Sequence, residues 1–307
     1  MSNYDVIVIG GGGAGLTAAL YTARGELKTA LFEKLTPGGQ IASTDEVENY
    51  PGFPEGITGM EISAKMEEQA KKYGAVIIPQ EVTGMVKNGE GDFTVLCGGE
   101  RFAAKTVIVA SGANARKLSV PGEKEFAARG VSYCATCDGA FFRNKEIAVV
   151  GGGDSAIQEA LFLTKFASKV TVIHRRDALR ASKILQERAF NHEKIVFAWN
   201  AVIKEIQGEK VVTGVVLTDT KTGQERTVPL QGVFIFIGHD PVSSFVQDVL
   251  QCDDHGYIIT TDLVKTSLTG VFACGEVRQN ATRQLVSTCG EGCTAALAAQ
   301  AYIDDLN

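Results

Sequence analysis

Asp5-Val6-Ile7-Val8-Ile9-Gly10-Gly11-Gly12-Gly13-Ala14-Gly15 is the stretch from which the fold follows. A short β-branched apolar run bounded by glycine predicts a buried parallel strand. The glycines at 10, 12 and 15 fit G-x-G-x-x-G, and helix formers follow at once from Leu16 to Ala23. In that order the glycines let the backbone approach a pyrophosphate, and the N-terminus of the next helix stabilises its negative charge. Thr29-Ala30-Leu31-Phe32 predicts the next strand, and Glu33 closes it 23 positions after Gly10. A carboxylate at that distance accepts hydrogen bonds from ribose hydroxyls. A glycine-rich turn alone would be an ordinary strand-to-helix connection. Strand, helix and spaced acid together predict a dinucleotide site built from Gly10, Gly12, Gly13, Ala14, Gly15 and Glu33.

The same grammar returns at Glu146-Ile147-Ala148-Val149-Val150, followed by Gly151-Gly152-Gly153-Asp154-Ser155-Ala156, which reads G-x-G-x-x-A. A helix through Ala160 and Leu163 and a strand at Val170-Thr171-Val172-Ile173 complete the unit. Counting 23 from Gly151 reaches His174, the register position of Glu33, and the chain there reads His174-Arg175-Arg176 with Arg180 beyond. Replacing the ribose-binding acid by a basic cluster is what a 2′-phosphate requires; a solvated basic face is the bland alternative. The first loop is therefore expected to hold a nucleotide without a 2′-phosphate and the second, including Gly151, Gly153, Asp154, Ser155 and Ala156, to hold NADPH.

Further strands are predicted at residues 106–112, 233–238 and 270–276, the last running into Gly275-Glu276 ahead of a small-residue helix from about Gly292 to Ile303. If that late strand rejoins the first sheet, the second nucleotide domain is inserted into the first. The expected fold is α/β, with two Rossmann-like three-layer domains: 1–115 with 245–307, and 116–244. A length of 307 residues agrees, because single cores usually stop growing at about 250–300 residues. The formal net charge of −6 argues against nucleic-acid and anionic-membrane partners. No apolar run approaches the roughly 20 residues needed to span a bilayer, and the first residues lack the basic head of a signal peptide. Seven cysteines, an odd number spread through a long chain, do not read as a secreted framework. A cytoplasmic protein is expected.

The chemistry concentrates at Ser132-Tyr133-Cys134-Ala135-Thr136-Cys137-Asp138-Gly139. A C-x-x-C pair can form and break a small-ring disulfide and lowers the pKa of one thiol. Zinc binding is the rival reading, but it needs a second ligand pair. Cys289 and Cys293, spaced C-x-x-x-C, match a knuckle poorly, and no histidine lies near either pair in sequence. Asp138 beside Cys137 is a candidate proton donor or a turn cap. Cys97 is expected as a buried strand residue, Cys252 in an exposed loop, and Cys274 and Cys293 packed near the cofactor; Cys289 has no assigned role.

Taken together, these motifs resemble the low-molecular-weight, bacterial-type thioredoxin reductases of class II of the pyridine nucleotide-disulfide oxidoreductases, over essentially the whole chain. Residues 38–40 (Gly-Gly-Gln), 47–52 (Val-Glu-Asn-Tyr-Pro-Gly), 236–239 (Phe-Ile-Gly-His) and Arg283-Gln284 strengthen the likeness. The resemblance implies FAD in the first domain, one per subunit and non-covalent, NADPH as electron donor in the second, and a homodimer. It places Gly39, Gln40, Asn49, Val82, Gly275, Glu276, Arg283, Gln284 and Leu285 on the FAD side, and Ile237 and Gly238 on the NADPH side. Electrons would pass from NADPH to FAD, to a Cys134–Cys137 disulfide, and to the disulfide of thioredoxin or a thioredoxin-like protein. Cys137 would face the flavin and Cys134 would attack the partner. The family usually has Gly-Asp where this chain has Gly275-Glu276, and the added methylene bears on FAD affinity.

Two other readings keep the fold or the folds' ligands. One changes the source or sink of electrons, to ferredoxin or a peroxiredoxin-system partner; the intact basic cluster argues against ferredoxin, and the short stretch before Asp5 leaves no fused thioredoxin-like domain. The other is a redox sensor without turnover, against which an intact C-x-x-C argues.

Overall fold

The computed structural model describes residues 2–44 and 47–306; Met1 and Asn307, the ends of the expected first domain, lie outside them, as do Asp45 and Glu46. The chain divides into two compact units. One runs to Asn114 and resumes at Asp240, and the other is Ala115–His239.

In the first unit the strands Val76–Ile78, Thr29–Phe32, Ser2–Ile9, Glu100–Val109, Asp92–Cys97 and Val82–Gly89 lie side by side in that order. The first four run parallel, and the last two return antiparallel as a meander. Glu100–Val109 is long enough to serve two partners. Its first half pairs with Asp92–Cys97, and Val107 to Val109 take Val271–Ala273 in parallel. The late strand thus rejoins the first sheet, which makes the second unit an insertion. Both faces of the central strand are covered. Val6 and Val8 point into a cluster with Leu16, Ala18, Ala19, Ala295 and Ala299, whereas Ile7 and Ile9 meet Phe32, Phe93, Val107 and Val246 on the other side. Burial on both faces explains why the strand is apolar throughout and does not alternate.

The helix Gly13–Arg24 packs against the last helix, Leu285–Leu306, through small residues. This last helix starts seven residues before the expected Gly292. Gly292 instead lies within the helix, where a Cβ would come 2.2 Å from the carbonyl oxygen of Ala14. Close helix approach outweighs glycine's poor propensity.

The second unit carries five parallel strands in the order Ile195–Trp199, Lys169–His174, Glu146–Val150, Gly232–Ile235 and Val131–Ser132. Ile147, Val149, Val170 and Val172 pack under the helices Asp154–Leu163 and Lys183–Phe190. Ala148, Val150, Ile173 and Val233 face the antiparallel sheet of Ala201–Gly208, Val212–Asp219 and Glu225–Pro229, through Ile203, Ile206, Val215 and Leu217. In each unit a glycine turn leaves the C-terminal end of a central parallel strand, the place where doubly wound sheets bind ligands.

Candidate active site: two glycine loops and a cysteine pair

Gly10 follows the first strand with φ +105°, and a Cβ there would lie 2.4 Å from the oxygen of Ala110. A Cβ on Gly15 would come 1.8 Å from the oxygen of Gly10, so the helix seats directly on the turn. Gly12 is different: nothing lies within 4 Å of its Cβ position. It is the N-cap of Gly13–Arg24 and offers no side chain to the helix end, which leaves the backbone N–H groups of that end for an anion. Glu33 is held beneath the loop. Its Oε2 accepts from the Gly11 N–H at 2.8 Å and its Oε1 from the Leu35 N–H at 3.0 Å.

The flavin-side residues named from the sequence fall around this loop. Gly39, with φ +57°, has its Cβ position 3.3 Å from the Gly12 Cα, and the Gly38 N–H donates to the Gly11 oxygen at 2.7 Å. The Gln40 amide donates to the Ala113 carbonyl. Asn49 donates to the side-chain oxygen of Gln284 at 3.1 Å, joining segments far apart in sequence. Leu285 is buried against the loop, its Cδ1 2.4 Å from a Cβ position on Gly13. Arg283 is exposed and reaches the Tyr257 hydroxyl at 3.3 Å. Val82 is buried in the cluster that holds Phe32 and presents no polar side chain.

After Val271–Ala273 the chain turns at Gly275, φ +73°, and presents Glu276. Burial pushes the Glu276 carboxyl up; Arg283 opposes the shift and Glu291 adds to it. No hydrogen bond to this carboxylate occurs among the described residues. An open Gly12, a helix N-terminus, a fixed acid and a half-buried acceptor without a donor fit a dinucleotide carrying hydroxyl groups, as FAD does.

The second loop repeats the first with one exchange. Gly151 has φ +149° and a Cβ position 2.5 Å from the Phe236 oxygen and 2.6 Å from the Ala156 Cβ; around Gly153 nothing lies within 4 Å. Ser155 begins the helix beside Asp154, whose carboxylate accepts from the Ser182 N–H at 2.6 Å. The N–H groups of Arg180 and Ala181 donate to the Gly152 oxygen at 2.7 and 3.1 Å, which lashes the basic segment to the glycine turn. Arg175, Arg176 and Arg180 are exposed, and none pairs with a carboxylate among the described residues. His174 behaves otherwise. It is buried beneath Gly152, with Nε2 3.1 Å from the Ala178 oxygen, and burial followed by the three arginine charges lowers its pKa despite that bond. It therefore supports the turn as a neutral ring, while the arginines supply the charge. Ile237 is half-buried, and Gly238 turns with φ +113°. Three unpaired guanidinium groups beside an open glycine fit a 2′-phosphorylated nucleotide.

Cys134 and Cys137 are joined as a disulfide, with Cα atoms 5.3 Å apart, at the short helix Ala135–Asp138. The Cys137 N–H donates to the Cys134 sulfur at 3.2 Å. Both residues are partly exposed. Ser132, buried just before them, donates to the Asp138 carboxylate at 2.5 Å and accepts from the Cys134 N–H at 3.1 Å. Tyr133 donates to Glu123 at 2.7 Å, and burial ahead of that carboxylate raises its phenol far above the usual range.

Of the remaining cysteines, Cys97 and Cys274 are buried and Cys293 is half-buried. Cys252, expected in an exposed loop, is half-buried because an isolated bridge ties it to Ile258. Cys289 packs on the first loop, its sulfur 3.8 Å from the Gly13 oxygen. Sequence reasoning missed Ser132, Glu123, Arg278 and Glu291. Ser132 stood inside the quoted motif; the other three gave no signal, since their partners are fixed only by the folded chain.

Residues 4–292 match the family described as pyridine nucleotide-disulphide oxidoreductase. The chain is 50% identical over 304 residues to a thioredoxin reductase of Bacillus subtilis (strain 168), covering 99% of this chain and 96% of that one. It is 48% identical to a thioredoxin reductase of Listeria monocytogenes, with 99% and 95% covered. Among solved structures, the thioredoxin reductase from Streptococcus pyogenes MGAS5005 is 47% identical and superposes with a TM-score of 0.94, covering 99% of both chains.

Proposed function

The chain belongs to the pyridine nucleotide-disulphide oxidoreductase family, and from that premise we propose that it is an NADPH-dependent thioredoxin reductase. The observation that carries the reading is the Cys134–Cys137 disulfide at the start of a helical turn, in the same chain as two glycine loops of unlike charge. In this reading the unit of Gly10 and Glu33 holds FAD, and the unit of Gly151 and the three arginines holds NADPH. Bound flavin supplies the two-electron relay between a nicotinamide and the disulfide. Residues 38–40, Asn49, Gln284 and Leu285 would line its loop, and Glu276 would accept from its hydroxyl chain.

The protein's own chemistry begins when the pair is reduced, two electrons and two protons converting the disulfide to two thiols. Cys134, whose sulfur accepts from the Cys137 N–H, attacks as a thiolate one sulfur of the thioredoxin disulfide. A mixed disulfide forms and the other thioredoxin sulfur leaves as a thiolate. Cys137 then attacks the Cys134 sulfur, re-forms the internal disulfide and releases the second thioredoxin thiol. Asp138, oriented by the Ser132 hydroxyl, stands beside the pair to relay a proton to and from the thiols.

Assembly as a homodimer and residence in the cytoplasm belong to the same proposal and are carried by the family likeness. No helix among the described residues is long and apolar enough to cross a membrane. The test is anaerobic. The yellow protein should bleach on addition of NADPH and recover its colour with oxidised thioredoxin; bleaching without recovery would remove thioredoxin as the acceptor.

A further inference from the structure

Glu291 lies on the last helix and Arg278 just beyond the turn that carries Glu276, and their side chains are 5% and 8% exposed. Glu291 Oε1 accepts from one terminal nitrogen of Arg278, while Oε2 accepts from Arg278 Nε at 2.8 Å and from the Gly275 N–H at 2.7 Å. A further terminal nitrogen of Arg278 donates to the Gln279 carbonyl at 3.0 Å. One carboxylate therefore grips both ends of a four-residue turn, from Gly275 to Arg278. That turn needs gripping. Gly275 sits at φ +73° with its Cβ position 3.1 Å from the Ala14 Cβ, and glycine alone does not favour this conformation over others.

A buried ion pair is weak support for stability, because desolvation offsets most of the attraction. Its worth here lies in direction. The turn it fixes ends in Glu276, the only half-buried side chain of that segment whose carboxylate has no donor among the described residues. We propose that the Arg278–Glu291 pair is a positioning device for FAD: it holds the 275–278 turn so that Glu276 meets the hydroxyl chain of the cofactor. This deepens the flavin reading above and rests on it. Glu291 touches no cofactor atom in this scheme and acts through Glu276.

The test is a double-mutant cycle on the holoenzyme. FAD dissociation constants are measured from the fluorescence of flavin released on dilution, for the wild type, Glu291→Gln, Glu276→Gln and the double variant. Glutamine keeps the size of Glu291 but turns an amide toward Arg278 and cannot take all three donors. Glu291→Gln should weaken FAD by at least tenfold, whereas in the Glu276→Gln background the same change should cost less than threefold. Multiplying effects, or a Glu291→Gln variant within twofold of wild type, would overturn the proposal. If Glu291→Gln does not fold, the apolar pair Arg278→Met/Glu291→Met removes both charges together, which proteins often tolerate. It should melt near the wild type by circular dichroism yet release FAD at least tenfold more readily, and wild-type affinity in it would equally overturn the proposal. A wild-type protein that takes up no FAD refutes the flavin reading itself, a result separable from all of these.

Discussion

Replacing Arg175 and Arg176 together by alanine should convert an NADPH enzyme into one that hardly distinguishes NADPH from NADH. The two guanidinium groups are exposed and have no carboxylate partner among the described residues, so their removal orphans none of those acids. The segment that carries them keeps its shape. Arg180 and Ala181 still donate to the Gly152 oxygen, Asn200 still donates to the Arg176 oxygen at 3.2 Å, and His174 remains seated under the loop. The loss is therefore one of contacts and not of fold. Charge-assisted hydrogen bonds contribute about 1.5–3 kcal/mol each; solvent screening places these exposed ones at the lower end, giving about 3 kcal/mol for the pair. That corresponds to roughly 100-fold in NADPH affinity. NADH lacks the 2′-phosphate and should change by less than about twofold. Stopped-flow flavin reduction at a series of concentrations of each nucleotide reads both constants, and the NADPH effect should shrink as salt is raised. Equal losses for NADH and NADPH would refute the assignment of these arginines to the phosphate.

The cysteines should be separable by trapping: Cys137→Ser should accumulate a mixed disulfide with thioredoxin through Cys134, seen on a non-reducing gel, and Cys134→Ser should not, while both lose turnover. Gly292→Ala should cost about 1–3 kcal/mol in denaturant unfolding, because the new methyl would meet the Ala14 oxygen at 2.2 Å; flavin retention should fall with it. His174 has a pKa below its ordinary 6.5 in the folded protein because it is buried, so the unfolded chain binds the proton more readily. Stability should therefore decline as pH falls from about 6.5, and His174→Asn should flatten that limb of a urea-midpoint titration.

Much of the architecture was legible because each unit repeats a local grammar of strand, glycine turn, helix and strand, closed by Glu33 in the first unit and by the run His174-Arg175-Arg176 in the second. Thr29–Phe32 falls where its three apolar residues and β-branched Thr29 put it, and Arg175 and Arg176 are exposed. What escaped depends on long-range geometry. His174 occupied the register position of Glu33 and carried a basic side chain, but only the closeness of Gly152 shows the ring to be a buried prop. The last helix begins seven residues before the expected Gly292, whose lack of a side chain lets it approach the Ala14 carbonyl. Glu291 gives no signal in the sequence, because Arg278 and the Gly275 N–H meet it only in the folded chain.

The strand Glu100–Val109 waits for a partner that comes late. The Thr106 hydroxyl donates to the Gly270 oxygen across 164 positions of sequence, and Val271–Ala273 and the helix Leu285–Leu306 follow that contact. At ribosomal speeds of about 5–20 residues per second, the interval between making one strand and making its neighbour is roughly 8–33 s. During that time Ala115–His239, an uninterrupted segment, can fold as it emerges, whereas the first unit has an open sheet edge and an unclad helix. The inserted unit can thus be complete before the unit that encloses it in sequence. The first unit is completed only once Val271–Ala273 and the helix Leu285–Leu306 are made, which makes the unfinished sheet, and not the redox pair, the point at which a chaperone would be needed.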